Sequence, residues 1–109
     1  MKKLNILFQE NNFKLTNETP KATEFENIES KGVVYLLPNK ELTLVVNPKV
    51  VEGNEELEEK AERKSHSTAL RNFPKRKHKG KTAINYGYSF KFQSEEELGA
   101  FLVRLLIMY

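Results

Sequence analysis

The chain contains no cysteine, no tryptophan and no aspartate; all fifteen of its acidic residues are glutamate. Without cysteine there is no disulfide, no thiolate zinc site and no thiol nucleophile. Without aspartate, triads and most divalent-metal phosphoryl-transfer sites would need glutamate throughout, which argues against an enzyme. No apolar run approaches the roughly 20 residues of a membrane-spanning helix, so no membrane partner is expected. The opening MKKLNILFQENN resembles a secretion signal only as far as Phe8, where its apolar run stops. Export is therefore not expected, and a cytoplasmic location is.

What is present is charge, unevenly placed. The net charge of +3 conceals a sequence dipole. Residues 52–62 hold six Glu and one Lys, whereas residues 63–94 hold nine Lys/Arg, two His and no acid. The dense part, Phe73-Pro-Lys-Arg-Lys-His-Lys-Gly-Lys81, offers little apolar surface to bury and should project as positive charge. Nucleic acid is the commonest partner for such a run, with DNA and RNA not distinguished. Lys75, Arg76, Lys77, Lys79 and Lys81 would neutralise phosphates, with His78 among them. Arg71 would supply a directional contact and Phe73 would position the loop. Lysine-rich composition favours contact with the backbone over reading of bases. The plainer alternative is a solvated loop that pairs with the Glu-rich block before it.

At 109 residues the chain makes a single domain, 1–109. Leu4, Ile6 and Phe8 alternate with Asn5, Leu7 and Gln9, which predicts a strand paired with Phe13–Thr16 across the turn Glu10-Asn11-Asn12. Residues 17–31 are polar, anchored only by Phe25 and Ile28, and read as an irregular loop. Val33–Leu37 and Leu42–Val46, joined by Pro38-Asn39-Lys40-Glu41, predict a hairpin covered on both faces. Asn54 caps a short helix laced with the ion pairs Glu56–Lys60 and Glu59–Arg63. That helix and the basic loop form an inserted, weakly docked arm, 52–82. Ile84–Phe92 is a strand with Tyr86, Tyr88, Phe90 and Phe92 on one face. These rings either form core under the next helix or offer a stacking platform, with the tyrosines the better candidates for exposure.

Ser94-Glu-Glu-Glu97 is a capping box that opens a closing helix, Leu98–Tyr109. Leu98, Phe101, Leu102, Leu105, Met108 and Tyr109 form its core stripe, while Val103, Leu106 and Ile107 make the other side apolar too. The predicted fold is α+β: a mainly antiparallel sheet of about five strands, capped on one face by this helix. A strand ending in Ser-Glu-Glu-Glu before an apolar helix is similar to the ends of pleckstrin-homology-like domains and of coactivator-type single-strand binders. That resemblance spans the last quarter of the chain and assigns no family and no residues.

The two histidines, His66 and His78, could supply at most half of a zinc site, and their spacing fits no compact ligand pattern. No metal or cofactor is expected. Gly80-Lys81-Thr82 lacks the first glycine of a P-loop. The leading expectation is a non-catalytic nucleic-acid-binding accessory protein. The second is a protein-interaction module, a small inhibitor or adaptor, meeting an acidic protein or a second copy through the apolar C-terminal helix. A nuclease using His66 or His78 comes a distant third.

Overall fold

A computed structural model describes residues 2–77 and 82–108. It is α+β, built from four helices and seven strands among those residues. In chain order these are α1 (Lys2–Glu10), β1 (Phe13–Glu18), β2 (Thr23–Asn27), β3 (Val33–Leu37) and β4 (Leu42–Val46). They continue with α2 (Pro48–Val51), α3 (Glu55–Lys60), β5 (Arg63–His66), β6 (Lys75–Lys77), β7 (Ala83–Phe92) and α4 (Glu95–Met108). Every strand pair is antiparallel, in the order β1-β2-β3-β4-β7-β5, with β6 paired to the start of β7.

The central β3–β4 hairpin forms as its β-branched, apolar residues predict, and both of its faces are covered. Val34, Leu36, Leu44 and Val46 enter the larger core with Phe8, Phe13, Phe25, Phe90 and the α4 stripe. Tyr35 and Val45 point the other way, into a smaller core with Ala22, Leu70 and Phe73. That alternation is why the strands read as continuously apolar. On α4, Leu98, Phe101, Leu102 and Leu105 are buried. Each such side chain contributes about 1.5–3 kcal/mol. Ser94 caps α4 by accepting from the Glu97 N–H at 3.2 Å. Glu97 reaches back to the Gln93 N–H at 3.2 Å, one residue earlier than a standard box. Val103 is exposed on the outer side. The side chains of Leu106, Ile107 and Met108, and the whole of Tyr109, lie outside the described residues.

Three sequence expectations are corrected. Residues 2–10 form a helix instead of a strand, because Leu4, Leu7 and Phe8 make an i, i+3, i+4 stripe that docks on the core while Ile6 faces solvent. Asn12 ends that helix in the left-handed conformation (φ 65°), which Asn tolerates better than most residues. The supposed loop 17–31 contains β2, whose polar residues Thr23, Glu24 and Asn27 are buried beside Phe25. The arm 52–82 is docked: Leu57, Leu70 and Phe73 are buried, and its basic residues add β5 and β6 to the sheet. Among the described residues no helix is long and apolar enough to cross a membrane.

Candidate nucleic-acid interface

β7 is the spine of the site. β5 pairs with it through Arg63↔Ser89, Lys64↔Tyr88, Ser65↔Gly87 and His66↔Tyr86. β6 pairs with its start through Lys75↔Asn85, Arg76↔Ile84 and Lys77↔Ala83. Ser67 N–H donates to Asn85 O at 3.0 Å, while Tyr86 N–H donates to Pro74 O at 2.9 Å. Successive residues of a strand direct their amides to opposite sides, so β5 and β6 flank β7 on either hand. Their separation is two strand spacings, about 10 Å.

Residues opposite one another across a ladder share a face. Lys64 and His66 from β5, Arg76 from β6, and Tyr86 and Tyr88 from β7 therefore stand together. Lys64 Nζ lies 5.8 Å from the Tyr88 ring centre, and the Arg76 guanidinium carbon 5.4 Å from that of Tyr86. The His66 ring stacks on Tyr86 with centroids 5.9 Å apart. Both tyrosines are half-buried, whereas Phe90 is fully buried against Phe101. The strand's aromatic face is thus divided: its phenylalanine end is core, and its tyrosine end opens between two basic strands.

Glu52, just after α2, fixes the tyrosines. Tyr88 OH donates to Glu52 Oε2 at 2.9 Å and Tyr86 OH to the same oxygen at 3.3 Å. Burial, then the hydrogen bond and charge of Glu52, push the Tyr88 phenol up to about 12. Burial and Glu52 raise Tyr86 as well. Both rings stay neutral and aimed at neutral pH.

The basic segment is held from behind by Glu24. This carboxylate is 2% exposed and accepts from Tyr35 OH (2.7 Å), Thr16 Oγ1 (2.7 Å), Asn72 Nδ2 (2.8 Å) and both Arg71 Nε and Nη2 (3.1 Å each). Burial alone would raise its pKa. The hydrogen bonds from Arg71, Tyr35 and Thr16, with Arg71's charge, prevail and bring it down to about 2. Tyr35 OH also accepts from Asn72 N–H at 3.0 Å.

The predicted site residues consequently separate. Arg71 faces a buried carboxylate with its guanidinium fork, so its directional contact is internal. Phe73 is 4% exposed, edge-on to Tyr35 at 4.9 Å, and anchors the segment; it has no face open for stacking. Lys75, Arg76 and Lys77 are exposed on β6. His78, Lys79 and Lys81 lie outside the described residues.

Among the described residues, Arg63, Lys64, Lys75, Arg76 and Lys77 enter no ion pair, although the Glu-rich α3 immediately precedes them. Glu56 of α3 pairs with Lys60 and Arg104 instead, and Lys91, on the other face of β7, pairs with Glu41 at 3.6 Å. The sequence predicts a helical pair of Arg63 with Glu59, but α3 ends at Lys60 and Arg63 begins β5; Lys64 had no role beyond the charge count, and Glu24 and Glu52 were missed. The alternation of Lys64/His66 with Arg63/Ser65 was the available signal for Arg63 and Lys64. Among the described residues no three His, Cys, Asp or Glu side chains gather as a metal site. Compared with protein-family models, curated proteins and solved structures, the chain matches none.

Proposed function

We propose that the protein binds single-stranded nucleic acid, DNA or RNA, without catalysis, on the face formed by β5, β7 and β6. The observation that carries this reading is that Lys64 and Arg76, which enter no ion pair among the described residues, stand over the half-exposed Tyr88 and Tyr86, while Arg63, Lys75 and Lys77 add positive charge on the opposite face of the same strands. Phosphates would be neutralised by Lys64 on β5 and by Arg76 on β6, with a base lying over Tyr86 or Tyr88 between them. Base–aromatic stacking contributes about 1–3 kcal/mol per base and tolerates any sequence. Glu52 would repel a phosphate placed centrally, which directs the backbone to the two basic rims. A base exposed for stacking favours a single strand over a duplex. In this reading the chain is an accessory protein of the cytoplasm.

Tyr86→Leu/Tyr88→Leu and Lys64→Ala/Arg76→Ala variants test it against a labelled oligonucleotide. The tyrosine pair should weaken binding at every salt concentration while leaving the salt slope unchanged. The cation pair should flatten the slope. Full affinity in both variants would overturn the reading.

A further inference from the structure

The edge strand β5 also borders a cleft of about 600 Å³, lined as well by the β1–β2 loop and the turn after β3. Arg63 and Ser65 stand opposite Ser89 and Gly87, so they share the face of the smaller core, whereas Lys64 and His66 share the tyrosine face. Arg63, Lys64 and Ser65 form one wall, Lys21 belongs to the loop between β1 and β2, and Leu37 and Leu70 supply apolar surface. Among the described residues no acidic side chain lines the cleft. Neither Lys21 nor Arg63 enters an ion pair among the described residues.

We infer that this cleft binds the phosphate of a nucleotide. A guanidinium and an ammonium bordering a space that no described acid lines suit a phosphoryl group, which a guanidinium contacts through two hydrogen bonds. The Ser65 hydroxyl adds a further donor. Leu37 and Leu70 give the attached base an apolar surface, and the volume is within the roughly 300–1,000 Å³ of small-ligand sites. Two sources share this chemistry: a free mononucleotide, and the terminal phosphate of a strand. Lys64 and His66 border both the cleft and the tyrosine face, so the two readings are separated through Lys21 and Arg63, which do not stand on the tyrosine face.

The test is a titration of the ¹⁵N-labelled full chain, followed by amide chemical shifts, with adenosine monophosphate, adenosine and a 5′-phosphorylated dinucleotide. The expected result is shifts at Lys21, Arg63 and Ser65 with the phosphate-bearing probes and none with adenosine. Lys21→Ala/Arg63→Ala should weaken that binding by at least about tenfold. The charge-matched Lys14→Ala/Lys49→Ala should not. Tighter binding of the mononucleotide identifies a free nucleotide as the ligand, and tighter binding of the dinucleotide identifies a strand end. An unshifted cleft with both phosphate probes would overturn the inference, as would equal affinity in the Lys21/Arg63 variant.

Discussion

Arg71 Nε and Nη2 each donate to a different oxygen of Glu24 at 3.1 Å, a bidentate pair that closes 47 residues of chain. It joins the basic segment to β2 and, with Asn72 and Tyr35, sets where Phe73 enters the smaller core. Glu24→Ala would leave the buried Tyr35 OH without its acceptor, while Asn72 and the Arg71 fork, both exposed, can turn to water. Urea unfolding should show a loss of about 1–3 kcal/mol. Arg71→Ala should cost less, since three donors to Glu24 remain and Arg71 itself is exposed.

The same carboxylate makes stability depend on acid. Its folded pKa, about 2, lies below the ordinary 4.5, so the folded state holds the proton less tightly than the unfolded chain. The stabilisation is fully present above pH 4.5 and is lost as pH falls toward 2. Urea midpoints across that window should fall, by of the order of 2 kcal/mol after allowance for the solvent-exposed partner Arg71. Glu24→Gln, which cannot titrate there, should give a flatter profile.

Gly87 explains how Phe73 reaches the sheet. A Cβ at this position would stand 2.5 Å from Val45 Cγ1 and 2.9 Å from two carbons of the Phe73 ring. Val45 and Phe73 are both buried, so neither has open space to move into. Gly87→Ala should destabilise the fold by about 1–3 kcal/mol through overpacking. Phe73→Ala should cost about 3–5 kcal/mol through the cavity it leaves. Chemical denaturation of the two variants checks both figures.

Tyr88 should ionise late. Burial and Glu52 hold its phenol near 12, so it stays neutral through the range where an exposed tyrosine ionises. The stability this gives is complete below pH 10 and is lost as pH rises through about 12. In an ultraviolet titration of phenolate, Glu52→Gln should move the Tyr88 transition to lower pH, while Tyr35, pushed up further by burial and Glu24, still ionises last. An unmoved transition would show that Glu52 does not control the ring.

Much of the fold was legible because local pattern and tertiary role agree. The β3–β4 hairpin, the β7 alternation, the Asn54 cap, whose side chain accepts from Leu57 N–H at 3.1 Å, and the Ser94 cap are such cases. The N-terminal helix was not, because Leu4, Ile6 and Phe8 also fit period two. Only Leu7, read as a solvent position, distinguishes the helical stripe. β2 was illegible because its burial depends on partners distant in sequence: nothing in Thr23-Glu24-Phe25-Glu26-Asn27 announces that Glu24 will meet Arg71, Asn72 and Tyr35. The basic segment was legible as charge and not as structure. Leu70 and Phe73 are the buried apolar anchors of residues 67–74, whose polar ties to Glu24, Tyr35, Asn85 and Tyr86 lie far off in sequence, and the pairing of β5 and β6 uses backbone that carries no sequence signal.

The central claim is that uncompensated cations beside the tyrosine pair hold a single strand by its phosphates. The most direct measurement is fluorescence anisotropy of labelled single- and double-stranded DNA and RNA, titrated with the protein at several salt concentrations. The account predicts that single strands bind more tightly than duplexes. It also predicts that log affinity falls linearly with log salt, with a slope of about −1.4 if Lys64 and Arg76 each neutralise one phosphate. Absence of binding to all four at low salt, or binding indifferent to salt, would contradict it.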